Sequence, residues 1–268
     1  MARQEIRRGG GRAVRVLRAL VGFVVAIIAV DVGIRFLGLG EGHLPPITDV
    51  LVRSLSLLVQ PEFLADVGAT LLASLLGLLI AIAIAVPLGT LLGSSQLAFA
   101  ATRALIEFLR PIPATAMIPI AILIFGQQIE MKVALVAFAT MWPLLYNTIY
   151  GVHDVDPVAK DSARIYGYRW LGILAFVVIP SAAPFIFTGL RFAVSIALIV
   201  TIGAEMLAAA SSGIGAFILL ASQAGLGYVT VFGAAIVAGL LGWLINLALE
   251  RAQRSAFKWT AEAMRSAA

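Results

Sequence analysis

Between Ala69 and Leu92 the chain runs for twenty-four residues without one charged side chain. As a helix, a stretch of that length crosses the hydrocarbon core of a bilayer, which takes about 20 residues. Inside lipid every backbone N–H and C=O must be paired within the structure, so such a segment has to be helical. Further apolar segments run from Leu17 to Leu37 (interrupted only by Asp31 and Arg35), Ala104 to Phe125, Met131 to Tyr150, Pro184 to Leu207 and Tyr228 to Leu249. The alternating pattern of a membrane barrel strand is missing. The expected fold is therefore an all-α integral membrane protein with about six transmembrane helices. In the third segment Glu107 and Arg110 precede Pro111, Pro113 and Pro119, so a bend or stop is expected there.

Composition supports the same class. The chain is 61% hydrophobic and 12% charged, with mean hydropathy +1.03, whereas a soluble domain is about a quarter charged. Cysteine is absent, which excludes disulfides and thiolate metal sites. The two histidines, His43 and His153, are far apart in sequence and argue against a histidine-based site. No metal site is expected.

The placement of positive charge sets an orientation. Arg3, Arg7, Arg8, Arg12, Arg15 and Arg18 crowd the N-terminal tail, and Arg251, Arg254, Lys258 and Arg265 the C-terminal one. Loops on that side add Arg103, Arg110, Lys160, Arg164 and Arg169, which makes fifteen, against Arg35, Arg53 and Lys132 on the other. Positive-inside bias then puts both termini in the cytoplasm. The net charge of +5 reads as orientation, not as nucleic-acid binding. The first segment is too long for a signal-peptide core and is read as a retained helix. The layout expected is a basic cytoplasmic tail over 1–16, a first transmembrane helix over 17–37, and an external segment over 38–66 with an interfacial helix capped by Thr48 or Asp49. A core domain of five transmembrane helices follows over 67–250, with a cytoplasmic loop at 153–183, then a cytoplasmic tail over 251–268.

That loop is the polar exception in an apolar chain. Asp156-Pro157 is a strong helix start, an N-cap followed by proline at the first helical position. Gly167 can end the helix in a left-handed conformation, and Tyr168 to Val178 can form a second short helix ended by Pro180. Lys160 and Arg164 lie four apart on one face, as do Ala159 and Ala163, which would let a partner groove approach closely. Physics alone leaves open whether this helix pair docks on a partner or only joins two spans.

The spacing Asp161-Ser162-Ala163-x3-Gly167-x9-Val177-x-Ile179-Pro180 resembles the loop signature of ABC-importer permeases, written E-A-A-x3-G-x9-I-x-L-P. Asp and Ser replace the first two residues; the glycine, the proline and every interval are kept. Phe108-Leu-Arg-Pro-Ile-Pro113, Ile118-Pro-Ile120, Phe125-Gly126, Pro143-Leu-Leu-Tyr-Asn-Thr148, Val155-Asp-Pro157, Thr188-Gly-Leu-Arg191 and Ala204-Glu-Met-Leu207 look like the nitrate/sulfonate/taurine branch, over roughly residues 65 to 250. The resemblance implies a type I ABC-importer permease bundle in a bacterial inner membrane, importing a small organic or inorganic anion. It also implies a cytoplasmic ABC ATPase dimer, a second permease copy with a homodimer favoured over a heterodimer, an external substrate-binding protein and surrounding membrane lipids. In that family the loop is the ATPase-coupling element, which assigns the role to Asp161, Ser162, Ala163, Arg164, Gly167 and Pro180. No G-x-x-x-x-G-K-[ST] occurs in the chain. ATP would thus be bound by the partner, and neither enzymatic activity nor a cofactor is expected of the chain itself.

Ionisable and polar residues within spans, and a methionine among them, are candidates for the solute path. They are Thr115, Met117, Asn147, Ser195 and Glu205, with Asn246 beside them. Glu205 belongs either to an external gate or docking surface, or to the solvated interface. Glu107 and Arg110 are read as a mutual i,i+3 pair, Arg191 as snorkelling to the headgroups, and Phe217 to Leu220 as a short re-entrant helix. The alternative function is an ion-coupled secondary transporter, which would usually show internal repeats and buried carboxylates at mid-membrane; no clear repeat or mid-span acid pair appears in the sequence.

Overall fold

The computed structural model describes residues 18, 21, 22, 25, 27–36, 44–225 and 227–257. Most of both terminal tails and part of the expected first span lie outside them; residues 27–36 of that span are helical. Helix is the sole regular structure among the described residues. After the N-terminal helical stretch come α1 (Ile47–Leu57), α2 (Pro61–Gly93), α3 (Gln96–Leu109), a 3₁₀ turn (Ala114–Met117), α4 (Ile118–Phe125) and α5 (Ile129–His153). They are followed by α6 (Pro157–Ile165), α7 (Trp170–Ile173), a π-helical turn (Leu174–Val178), α8 (Ile179–Leu207), α9 (Ile214–Gln223) and α10 (Tyr228–Ala256).

Among the described residues, four continuous helices are long and apolar enough to cross a membrane: α2, α5, Trp170–Leu207 and α10. A fifth exists if α3 and the Ala114–Phe125 segment, bent by 74° to one another, form one span. The break falls where expected, at Pro111 and Pro113, since neither proline has an N–H with which to continue the helical ladder and each ring crowds the preceding turn. The long helices overrun the apolar segments because charged ends such as Glu62 and Glu130 are compatible with helix although not with lipid.

The residues fall into two compact units, the described parts of Met1–Gln60 with Leu220–Val237, and of Pro61–Leu219 with Ala238–Ala268. In the first, Arg35 is joined to α1 by an ion pair and Asp31 by hydrogen bonds. Arg35 Nε donates to Asp31 Oδ2 at 3.0 Å and Nη2 to Asp49 Oδ1 at 2.9 Å. Asp31 Oδ1 accepts the Thr48 N–H at 3.0 Å, so α1 is capped by Asp31 from another segment, not by Thr48 or Asp49.

The second unit is built on α2, α5 and α8, each packing through a seam with a four-residue step. On α2 the seam is Ala73, Gly77, Ala81, Ala85, Gly89 and Gly93, all buried. A methyl group at Gly77 would lie 2.6 Å from Val136 Cβ, at Gly89 2.7 Å from Thr148 Cβ, and at Gly93 2.7 Å from the Ile149 carbonyl oxygen. The facing row on α5 is Val136, Thr140, Leu144, Thr148 and Val152; α8 carries its own row of Gly189, Ala193, Ala197 and Thr201, with Gly189 against Pro143 and Asn147 of α5 and Thr201 against Ser74 of α2. Water cannot drive helices together in lipid, so close backbone approach through small residues supplies the dispersion contacts instead. Ser74 and Thr201 hydroxyls meet across the seam at 2.8 Å.

Pro180 does not end a helix as expected. Trp170 to Leu207 is continuous, because the five-residue π turn before Pro180 absorbs the missing N–H and its ring. The Ile179 N–H reaches back to the Leu174 carbonyl, and Pro180 starts the next regular turn.

Candidate functional site

Two constructions in the second unit merit functional reading, one at each end of α8. The first is the loop between α5 and α8. The Asp156 carboxylate accepts the Val158 N–H at 2.8 Å and caps α6 at its first turn. At the other end Tyr168 N–H bonds to the Ala163 carbonyl (3.1 Å) and Gly167 N–H to the Arg164 carbonyl (2.9 Å). This paired arrangement is a Schellman motif, and it requires Gly167 at φ +82°. The corner is held by backbone geometry alone, since a side chain at Gly167 would meet no neighbour.

Helix α6 is fixed beneath and free above. Ala163 is buried among Val152, Val155, Ile173, Val178 and Ala182, so it serves packing within the loop and is not presented to a partner as expected. Asp161, Ser162 and Arg164 are exposed, with Arg164 Nη1 donating to Asp161 Oδ1 at 2.7 Å. Beside them Val158, Ile165 and Tyr166 are bared, the last two at 86% and 83% exposure. Charged groups flanked by exposed apolar side chains on a capped helix make a surface suited to a protein groove.

The second construction surrounds Glu205, whose side chain is fully buried. This rules out the solvated-interface reading. Lys132, which the charge count placed in an outer loop, is buried too and donates to Glu205 Oε1 at 3.1 Å. The Thr70 hydroxyl lies 3.0 and 3.1 Å from the two carboxylate oxygens, and the Gly215 N–H donates to Oε2 at 3.0 Å. Lys132 also donates to the Ser212 carbonyl at 3.0 Å, while Ile214 N–H bonds to Thr70 Oγ1 and Gly213 N–H to Asp66. The turn that opens α9 is thus seated on a charged socket formed by α2, α5 and α8. Gly213 (φ +120°) and Gly215 are required there: a methyl group would lie 2.0 Å from Glu205 Oε1 or 2.2 Å from the Ile202 carbonyl oxygen. The residues Ser211, Ser212, Gly213 and Gly215 mark a loop in the sequence, but sequence reading missed Lys132 and Thr70 as the groups that seat it. The signal was available, because Lys132 and Glu205 continue the four-residue seams of α5 and α8.

The remaining path candidates are not brought together. Thr115 is exposed on the 3₁₀ turn, and Met117 packs against the Ile118–Met131–Ala197 cluster. Asn147 Nδ2 donates to the Pro143 carbonyl (2.8 Å) where Gly189 of α8 crosses α5. Ser195 and Asn246 border an open hollow of about 590 Å³ between α8 and α10. Ten residues of helix, about 15 Å, separate Ser195 from Glu205. Other expected contacts are replaced. Glu107 pairs with Arg103 at 2.7 Å, while Arg110 stacks over Tyr146 at 4.8 Å, so Glu107 and Arg110 are not partners. Arg191 turns toward α10, donating to Gln253 at 3.1 Å with Glu250 at 3.9 Å, and does not snorkel freely. The short helix after the glycine turn is α9, longer than the Phe217–Leu220 expected.

Among the described residues the structure is all helix, with several apolar spans and a polar helix–corner–helix insertion, the build of an integral membrane protein. The model of the family described as binding-protein-dependent transport system inner membrane component matches residues 85–259, and the chain belongs to this family of ABC transporter permeases. It is 30% identical over 241 residues to a probable ABC transporter permease of Brucella melitensis, covering 89% of this chain and 97% of that one. It is 34% identical over 154 residues to the putative aliphatic sulfonates transport permease SsuC of Escherichia coli K12, 58% of each chain. It is 32% identical over 158 residues to the nitrate import permease NrtB of Leptolyngbya laminosa, 59% of this chain and 56% of that one. Among solved structures, a chain of the inward-facing MetNI methionine ABC transporter superposes with TM-score 0.64 at 16% identity, over 72% of this chain and 95% of that chain. The family is one of transport proteins, not of enzymes.

Proposed function

We propose that the chain is the six-span permease subunit of an importer for a small anion in a bacterial inner membrane, with both termini in the cytoplasm. The names of the sulfonate and nitrate relatives support the solute class. In this reading two copies of the chain assemble with a cytoplasmic ATPase dimer and receive solute from an external binding protein. The residue layout follows the boundaries set out above, with 153–183 as the cytoplasmic coupling loop. ATP is bound by the partner, and the chain contributes no catalytic group.

The observation that carries the reading is the loop. Its Gly167 corner is locked, its underside is anchored through Ala163, and its outer side presents Asp161, Ser162, Arg164, Ile165 and Tyr166. A rigid pair of short helices can transmit displacement from an ATPase groove into α8, because the π turn and Pro180 join the loop to α8 without a break. Ion-coupled transport finds no support in the comparisons.

The test uses Ile165→Glu and Gly167→Val in tagged permease expressed in its native membrane. An ATP-hydrolysing subunit is expected to co-purify with the wild type, and its yield to fall at least ~10-fold in either variant. That loss corresponds to about 1.4 kcal/mol. Equal yield of ATPase with properly inserted variants would refute the docking role.

A further inference from the structure

A hollow of about 270 Å³ lies beside α6, bordered by Lys160, Arg164, Tyr168 and Trp170 and floored by Leu174 and Val178. At about 30 Å³ per water it has room for a phosphate group with its ester carbons. Its charge is not balanced by the protein. Among the described residues Lys160 has no carboxylate partner, and the adjacent Asp161 is taken up by Arg164. Arg164 uses one N–H on Asp161, leaving others of its five donors available. No acidic residue borders the hollow.

The opposite border is apolar and aromatic. The Tyr168 ring is held edge-on against Phe176 at 6.0 Å, and lies where a methyl group at Gly172 would come within 2.9 Å of its Cδ1. Trp170, Leu171 and Phe176 are exposed at 56%, 68% and 72%. Tryptophan and tyrosine between a polar and an apolar border are typical of the headgroup level of a bilayer. A cationic end and an apolar end in one hollow match an amphiphile with a single negative charge.

We propose that this hollow binds a phosphate monoanion, supplied by the headgroup of an anionic phospholipid such as phosphatidylglycerol. Lys160 and Arg164 take the phosphate oxygens, Tyr168 and Trp170 flank the headgroup, and Leu174 and Val178 meet the start of the acyl chains. Such a lipid would clamp α6 to the π turn and stiffen the loop. The inference rests on the loop lying at a membrane surface, as proposed above, but not on its docking to an ATPase.

The full-length chain, purified in a neutral detergent, is titrated with short-chain phosphatidylglycerol, with phosphatidylcholine of the same chains, and with inorganic phosphate. Binding is read by native mass spectrometry and by the unfolding temperature. Phosphatidylglycerol is expected to bind saturably, at least ~10-fold more tightly than phosphatidylcholine, whose choline brings its own positive charge. Lys160→Gln is expected to weaken it ~10-fold or more while leaving lipid-free unfolding unchanged. Lys160→Arg retains binding, and Arg169→Gln, outside the hollow, leaves it intact. Lys160-dependent binding of inorganic phosphate at equal affinity would keep the anion site and remove the lipid as its source. Phosphatidylglycerol binding that Lys160→Gln and Arg164→Gln leave unchanged, or no binding of either anion, overturns the proposal. Neither outcome bears on ATPase co-purification, so the two readings fail separately.

Discussion

Replacing Lys132 by Met probes the buried pair most directly. Methionine fills much of the lysine stem but leaves the Glu205 carboxylate buried, with only the Thr70 hydroxyl and the Gly215 N–H as donors. Removing one member of a buried pair typically costs about 3–5 kcal/mol, because an uncompensated charge stays in a low-dielectric interior. The cost should fall on the turn seated on the socket, since Lys132 also holds the Ser212 carbonyl. The chain has no cysteine, so Ile214→Cys, at a fully buried position of that turn, reports local opening with no background thiol. Maleimide labelling of the thiol introduced by Ile214→Cys should accelerate by about two to four decades in the Lys132→Met background, at about 1.36 kcal/mol per decade. Adding Glu205→Gln removes the stranded charge while keeping an acceptor for Gly215, and should recover at least ~2 kcal/mol, or more than one decade in rate. Labelling rates within threefold of one another in all three backgrounds would refute the socket. A double variant as labile as the single one would show that the lost contact, not the stranded charge, is what matters.

Two further outcomes follow from packing and capping. Gly89→Val would drive a side chain into Thr148 Cβ, which already lies 2.7 Å from where a methyl group would sit. Overpacking of this kind costs typically about 1–3 kcal/mol, to be measured as an equal loss against denaturing detergent, whereas Gly68→Ala, with open space around it, should be nearly neutral. Asp156→Ala removes the cap on the Val158 N–H and should cost about 1 kcal/mol locally. Hydrogen exchange should rise at residues 158–160 and stay unchanged in α5, and no change at 158–160 would contradict the capping role.

The parts legible in the sequence were those written in single residues. Asp156-Pro157 announced the start of α6, Gly167 its end, and Pro111 and Pro113 the bend. Pro180 misled, because a proline usually ends a helix unless a wider turn precedes it, and nothing in the Leu174–Val178 composition advertises a π turn. Lys132 and Glu205 were assigned by distance from the ends of apolar segments, which places a charge at an interface but says nothing of the face it occupies. Their register answers that. Lys132 stands four residues before Val136, and Glu205 four after Thr201, each on the row that faces its neighbours. The small-residue row of α2 carries the same information, and it is hidden from hydropathy because Gly and Ala differ little from the residues around them. The hollow beside Lys160 was not legible at all, since it depends on how the π turn brings Leu174 and Val178 under α6.

Glycine and alanine at every fourth position of α2 leave between its backbone and that of α5 little more than the β-branched side chains of the facing row and Leu144. Six such positions span twenty residues, about 30 Å of helix, or roughly the whole hydrocarbon thickness. A lubricated interface, with long side chains able to change rotamer, lets helices slide; here an ångström of travel would put Val136, Thr148 or Val152 into backbone. With α8 packed on both helices, Gly189 against Pro143 and Asn147 of α5 and Thr201 against Ser74 of α2, the three helices are expected to move as one stiff plate. Any displacement delivered at the polar loop, through the unbroken Trp170–Leu207 helix, has to tilt the plate as a whole. A push at the loop end of α8 is then felt at the Glu205 end as a rotation, not as a change of shape.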